Sequence, residues 1–337
     1  MNTSHINQTL PPPLPTFPGV RLDPRAIDIS ATVLISLSIF TNGIAILVIA
    51  MNRKIWNITH GILASMFTAS LLYETLYALP FNHFLSELAF SAPLFCSLIR
   101  GIGLTLMFIT TLHHCLICLN RYLNLAYPFT YRQRASYRYA LPAIIMVWII
   151  GIITGSIPYY SFRIPVPTNR CIVSIDNEAE RIYVNTATSI LYFLPLVIMI
   201  ISYGHLFYVI NNKPKVLSLM RSNKVSQSFL EVNKKLIQQT FGILGVYIIL
   251  WMPYQTVFLL LSNYNVSFPL YNAFRMLRLF ALFYLVINPL LFIYHISTLR
   301  KETMRTFTKR IPSKRTNSHN RVLTTEFIPT ITYESNV

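Results

Sequence analysis

Charged residues are scarce in this sequence, and acidic residues are the scarcest. Only 12% of its 337 residues are charged, and 28 Lys and Arg outnumber 11 Asp and Glu. Hydrophobic residues make up 53%, the mean hydropathy is +0.49, and no polar stretch is long enough for a separate soluble domain. This composition excludes an ordinary soluble protein and indicates one membrane domain with polar tails.

The short signatures of common enzymes are also missing. The sequence has no His-Glu-x-x-His, no Gly-x-Ser-x-Gly and no P-loop. Cys115 and Cys118 lie in an apolar run without the His or second Cys pair that a zinc site needs, so we interpret them as packing residues. His113 and His114 point about 100° apart on a helix and are expected to pack or hydrogen-bond to neighbouring helices. We therefore predict no enzyme, no metal site and no cofactor.

Seven apolar segments succeed one another, each near the ~20 residues that a transmembrane helix requires. They cover residues 28–51, 59–80, 96–122, 140–158, 184–210, 235–261 and 273–295. A helix over residues 297–308 would have apolar side chains on one face and basic side chains on the other, which predicts an amphipathic helix on the inner leaflet. The predicted fold is an all-α membrane protein, a seven-transmembrane helix bundle with a short eighth helix. Its domains are a tail (1–27), a membrane domain (28–296) and a second tail (297–337).

The basic residues collect on one side of the predicted bundle. If the N-terminus is outside, the inner loops and the C-terminal tail hold 20 Lys and Arg, whereas six outer Arg are matched by six acids. This asymmetry predicts a multi-pass plasma membrane protein with an extracellular N-terminus. The excess of basic residues on the inner side favours contact with anionic lipid and does not indicate nucleic-acid binding. Asn2 and Asn7 begin glycosylation triplets on the outer side.

The third apolar segment runs from Cys96 to Tyr122 and carries a cysteine at its outer end. Cys171 is the one cysteine outside the apolar segments, so a Cys96–Cys171 bridge would tie its loop to this helix.

An ordered set of motifs across the seven segments resembles the rhodopsin-like family of G-protein-coupled receptors. The set comprises Asn42-Gly43, Cys96, Arg121, Trp148, Pro195, Tyr203, Trp251-Met-Pro253 and Asn288-Pro289. The resemblance implies a receptor that converts extracellular ligand binding into activation of a heterotrimeric G protein, with arrestin and a receptor kinase as further partners. It assigns activation and coupling to Asn120, Arg121, Tyr122, Tyr203, Pro253, Asn288, Pro289 and Phe292.

Several positions depart from the family pattern. Asn120 stands where the family usually has Asp, so Arg121 has a neutral neighbour and the inactive state is expected to be less strongly stabilised. The triplet Asn-Arg-Tyr is similar to the corresponding triplet of melatonin receptors and of the insect Moody and Trapped-in-endoderm receptors. Ser70 replaces the family's second-segment Asp, and Phe292 replaces the Tyr of the seventh-segment motif. The positions that hold sodium in the family, here Ser70, Thr110, Tyr284 and Asn288, carry no charge, which predicts insensitivity to sodium.

The candidate ligand-binding residues are Arg100, Gly103, Glu74, Trp251, Arg278 and Leu282. Leu282 stands where opsins need a Lys, and Gly103 stands where aminergic receptors need an acid, so neither retinal nor a biogenic amine is expected. Arg100 and Arg278 near one cavity mouth predict an anionic group on the ligand, which would be a small acid, a lipid or a peptide C-terminus.

Three alternatives stay open. Glu74 would pair with one Arg, while the other extends to the interface or meets Asp176, Glu178 or Glu180. A peptide ligand would be recognised through the outer loops. A seven-span transporter is less favoured, because no repeat occurs and Glu74 is the only intramembrane carboxylate, Asp28 being at the outer end of the first segment. The terminal Glu334-Ser335-Asn336-Val337 resembles a PDZ ligand ending at Val337.

Overall fold

The computed structural model describes residues 23–83, 93–127, 131, 137–161, 178–212, 224–263 and 268–308. These ranges are helical nearly throughout and contain seven helical spans long and apolar enough to cross a membrane. The predicted all-α seven-span bundle is therefore confirmed. Cys171, Asn2, Asn7 and Val337 lie outside the described residues, as does the side chain of Cys96.

The spans extend beyond the apolar runs at most ends. They are, in order, Pro24–Met51, Ile58–Tyr73 continued to His83, Pro93–Ala126, Tyr137–Ser161, Glu178–Asn212, Lys224–Asn263 and Phe268–His295. The polar end turns lie where a helix leaves the hydrocarbon, so hydropathy alone underestimates the length of the helix. We number the spans one to seven in this order.

Two spans contain a widened π-helical turn. In the second span it covers Glu74–Ala78, and in the fifth it covers Ser189–Phe193. The sixth and seventh spans carry Pro253 and Pro289 inside the helix, where each removes a backbone hydrogen bond. Such turns shift the side chains that follow them around the helix axis and often occur at functional sites.

Small residues bring the third and fourth spans together. A Cβ at Gly155 would collide with Thr105, and one at Gly151 would collide with Ile109. Close helix contact through small residues is the usual packing mode in a bilayer. Hydrogen bonds also connect the third and fourth spans through the second, because Ser65 Oγ lies 2.8 Å from His113 Nε2 and 2.9 Å from Trp148 Nε1.

The amphipathic eighth helix is confirmed at Ser297–Thr308. Leu299 is fully buried against the inner core, whereas Met304 is 64% exposed on the other face. Contact between the basic side chains of this helix and anionic lipid headgroups stays a prediction.

Candidate functional site

An aromatic ladder lines the outer half of the bundle. It consists of Tyr73, Tyr77 and Phe81 in the second span, with ring centroids 5.0 Å and 5.5 Å apart in succession. The sequence interpretation missed these three residues. Their spacing of four was a readable signal, because residues four apart share one face of a helix.

The ladder explains the glycine at position 103. A Cβ built on Gly103 would lie 2.5 Å from Cε2 of Tyr77 and 3.0 Å from its Cγ. The glycine therefore makes room for the tyrosine ring. A carboxylate at this position, as in aminergic receptors, would have no space beside Tyr77.

Arg100 pairs with an acid of the fifth span. Its Nη2 lies 2.8 Å from Oε1 of Glu180, and the two side chains are only 19% and 6% exposed. The sequence interpretation placed Glu180 in a loop and named this pair as an alternative to anion binding. Glu180 is instead in the first turn of a helix that begins at Glu178, where negative charge complements the helix dipole.

Arg278 has a different environment. Its guanidinium carbon lies 4.8 Å from the centroid of the Phe81 ring, and Nη2 is 3.5 Å from the carbonyl oxygen of Ala78. Among the described residues no carboxylate lies within ion-pair distance of Arg278. Arg275, nearly one turn outward, pairs with Asp28 at 2.9 Å.

Glu74 does not pair with either arginine. Its side chain is fully buried and accepts hydrogen bonds from Ser38 Oγ and, at 3.1 Å, from Asn42 Nδ2. The same amide donates to the carbonyl oxygen of Leu285 at 3.2 Å. Glu74 thus joins the first, second and seventh spans, and the alternative in which Glu74 pairs with an arginine is wrong.

Residues of the sixth span lie next to the innermost ring of the aromatic ladder. Trp251 is 4% exposed, and its ring centroid lies 6.2 Å from that of Tyr73. Gln255 is 1% exposed, and its Nε2 donates to Met107 Sδ at 2.6 Å. Leu282 is buried in the same core cluster. Gln255 is a second residue that sequence reasoning missed, since a lone amide in an apolar run carries no pattern.

Hydrogen bonds continue through the middle of the bundle. Tyr247 in the sixth span lies 3.0 Å from Thr111 Oγ1 in the third. Tyr284 donates to Asn288 Oδ1 at 2.9 Å and lies 3.2 Å from His114 Nε2. The prediction that His113 and His114 bond to neighbouring helices is therefore confirmed. These contacts join the third, sixth and seventh spans in the middle of the bundle.

At the inner end, Asn120 bonds to neighbours other than Arg121. Tyr131 donates its hydroxyl to Asn120 Oδ1 at 2.8 Å, and Asn120 Nδ2 donates to Thr59 Oγ1 at 3.2 Å. Burial raises the pKa of Tyr131 above its ordinary value, which keeps this donor protonated at neutral pH. Within the described ranges Arg121 forms no ion pair.

Other residues assigned to coupling have apolar or partly buried surroundings. Phe292 is 4% exposed and packs edge-on against Phe67 with centroids 5.9 Å apart, so the phenylalanine suits an apolar cluster. Tyr203 is buried, and the Tyr122 hydroxyl lies 3.1 Å from His205 Nδ1. Cys115 and Cys118 are buried free thiols, as the packing interpretation predicts.

Comparison with known proteins gives a consistent picture. A family model described as the seven-transmembrane receptor (rhodopsin family) matches residues 41–294. The alpha-1A adrenergic receptor of Homo sapiens is 24% identical over 196 residues, which are 55% of this chain and 41% of that receptor. The receptor of the same name from Oryzias latipes is 22% identical over 231 residues, 68% of this chain and 47% of that protein.

A solved structure has the same fold. Squid rhodopsin superposes with a TM-score of 0.72 over 89% of this chain and 92% of that chain, at 16% sequence identity. This identity supports the fold alone. The chain spans less than half the length of the two adrenergic receptors that it matches.

Proposed function

The chain belongs to the rhodopsin family of seven-transmembrane receptors, and on that premise we propose that it binds an acidic extracellular ligand through Arg278. As a family member it is a multi-pass membrane receptor and not an enzyme, with an extracellular ligand and a G protein as partners. In this proposal the N-terminus is outside the plasma membrane, and the acid enters the outer half of the bundle.

The observation that carries the proposal is the guanidinium of Arg278, which has no carboxylate within ion-pair distance among the residues that the structure describes. A charged side chain inside a bundle normally pairs with an opposite charge, because its desolvation is costly. Arg278 instead stacks on Phe81 and makes one long hydrogen bond, to Ala78. Its remaining N–H donors are suited to the two oxygens of a carboxylate or to a phosphate.

Arg100 is not proposed to bind the acid of the ligand. Its charge is compensated by Glu180 at 2.8 Å, in a pair that is largely buried. A ligand acid would have to displace Glu180, which would leave a carboxylate buried without a partner. The proposal therefore rests on one arginine instead of two.

The experiment uses cells that express the chain and a readout of nucleotide exchange on G protein. Extracts are separated into lipid, small-acid and peptide pools, and the active pool is tested on Arg278→Gln. Loss of a charged hydrogen bond of about 1.5–3 kcal/mol predicts a roughly ten- to hundredfold loss of potency. Arg275→Gln is the matched control, because Arg275 is already paired with Asp28 at the rim.

Equal potency on Arg278→Gln and the unmodified chain, at matched surface expression, contradicts the acid site. If the active pool then contains a peptide, recognition through the outer loops is the better explanation. Failure of the purified chain to catalyse nucleotide exchange on any class of G protein favours a seven-span transporter.

On the inner side, we propose that Arg121 and Tyr203 frame the crevice that receives a G-protein helix when the sixth span swings outward. Both lie at the inner ends of their spans, and Tyr203 is buried beside the third span. Arrestin and a receptor kinase are expected to act on the Ser- and Thr-rich tail after residue 308, and a PDZ protein on Val337.

A further inference from the structure

Two buried polar groups of the sixth span have no hydrogen-bond partner in the described part of the chain. They are the Nε1–H of Trp251, a donor, and Oε1 of Gln255, an acceptor. Both residues are almost fully buried, at 4% and 1% exposure. Buried polar groups are nearly always paired, so an unpaired donor beside an unpaired acceptor indicates a missing partner.

These two groups lie near one end of the aromatic ladder. The Trp251 ring is 6.2 Å from Tyr73, the innermost ring of the ladder. Gln255 bonds to Met107, which is one helical turn inward from Gly103 and its contact with Tyr77. Because positions 251 and 255 are four apart, they share one face of the sixth span.

Arg278 lies at the other end of the ladder, against Phe81. Tyr73 and Phe81 are eight residues apart, which corresponds to about 12 Å along a helix. Between these ends the wall is aromatic, with Tyr77 stacked on Phe81 at 5.5 Å. The region thus offers a cation, an apolar wall and a donor–acceptor pair in that order.

We propose that the ligand is an elongated acid with a hydroxyl about 12 Å from its acidic group. This inference rests on the proposed acid receptor and adds the rest of the ligand. A hydroxyl donates one hydrogen bond and accepts others, so it satisfies Gln255 Oε1 and Trp251 Nε1–H together. The apolar middle of the ligand covers the aromatic wall while the acid meets Arg278.

The test measures binding directly, by thermal stabilisation of the purified full-length receptor. The probes are straight-chain acids with a terminal hydroxyl, from about 6 to 16 carbons, the same acids without the hydroxyl, and their methyl esters. At roughly 1.2 Å of advance per bond, the best fit is expected near ten carbons. There the hydroxyl should lower the half-maximal concentration roughly tenfold, the value of one neutral hydrogen bond.

Variants separate the two ends of the site. Gln255→Leu should reduce the advantage of the hydroxyl, which then keeps only the bond from Trp251 Nε1–H, and should keep the preference for acid over ester. Arg278→Gln should abolish the preference for acid over ester. Thr256→Val is the matched control, because Thr256 is the next residue of the same helix and its exposed hydroxyl bonds only to Met252 O.

The outcomes distinguish the two proposals. Acids that bind through Arg278 at every length with no gain from the hydroxyl overturn this inference and leave the acid receptor standing. Esters that stabilise as well as acids, on Arg278→Gln as on the unmodified chain, overturn both. No stabilisation by any hydroxy acid in the series also overturns the inference.

Discussion

Substituting Gly103 by Ala tests the close contact between this glycine and the Tyr77 ring. The added Cβ would lie 2.5 Å from one ring atom of Tyr77 and 3.0 Å from the ring carbon nearest its backbone, so the whole ring must shift. Inserting a methyl group into a packed core costs about 1–3 kcal/mol. Ala also gains about 0.5–1 kcal/mol over Gly in a helix, and the comparison needs a control for that gain.

Gly43→Ala is the control, because a Cβ at Gly43 meets no atom within 4 Å. Relative to this variant, Gly103→Ala should be less stable by about 1–3 kcal/mol. At about 2–4 °C per kcal/mol, the apparent melting temperature should be roughly 2–12 °C lower. The measurement is thermal unfolding of the purified receptor under one detergent condition and one heating rate, since membrane proteins rarely unfold reversibly.

The double variant with Tyr77→Ala identifies the partner. Once the ring is absent, Gly103→Ala should have the same effect as Gly43→Ala. The coupling between positions 77 and 103 should therefore be about 1–3 kcal/mol. If Gly103→Ala lowers the melting temperature equally with and without the Tyr77 ring, the steric explanation for this glycine is wrong.

Three further results are expected. Asn120→Asp should lower agonist-free nucleotide exchange about fivefold at matched surface expression, because a carboxylate would give Arg121 a charged partner worth roughly 1 kcal/mol, whereas Asn120 bonds to Tyr131 and Thr59; unchanged exchange means that Arg121 is held by other groups. Agonist affinity should be the same in sodium and in another monovalent salt at equal ionic strength, because the positions that hold sodium in the family carry no charge here; a loss specific to sodium refutes this. Deleting Val337 should abolish capture by PDZ domains, and capture that persists rules out a C-terminal motif.

The ligand of this receptor cannot be transferred from its relatives. The alpha-1A adrenergic receptors match the chain at 22–25% identity, and squid rhodopsin shares its fold. Yet Gly103 is covered by Tyr77 and Leu282 is a buried apolar residue, so the two positions lack the acid and the lysine of those classes. The proposal of an acid rests on Arg278, which has no acidic partner within the described ranges.

The sequence alone determined the seven spans, the eighth helix and the positions of the helix prolines. The physical reason is that lipid offers no hydrogen bonds, so each long apolar run must form a helix. It also determined that Arg278 lies inside the membrane domain and that Glu74 is the only acid in the interior of the predicted apolar segments, since Asp28 stands at the outer end of the first. Neither conclusion depends on how the helices face one another.

Only the tertiary structure decided which residues meet. Lipid-facing and core-facing residues are both apolar, as Ile249 at 70% exposure and Leu244 in the core illustrate, so periodicity does not mark the inner face. The Arg100–Glu180 pair joins residues 80 apart, and the Asn42–Glu74 contact joins residues 32 apart. Such contacts depend on helix rotation and on the π turn of the second span, which are set by packing among all seven helices.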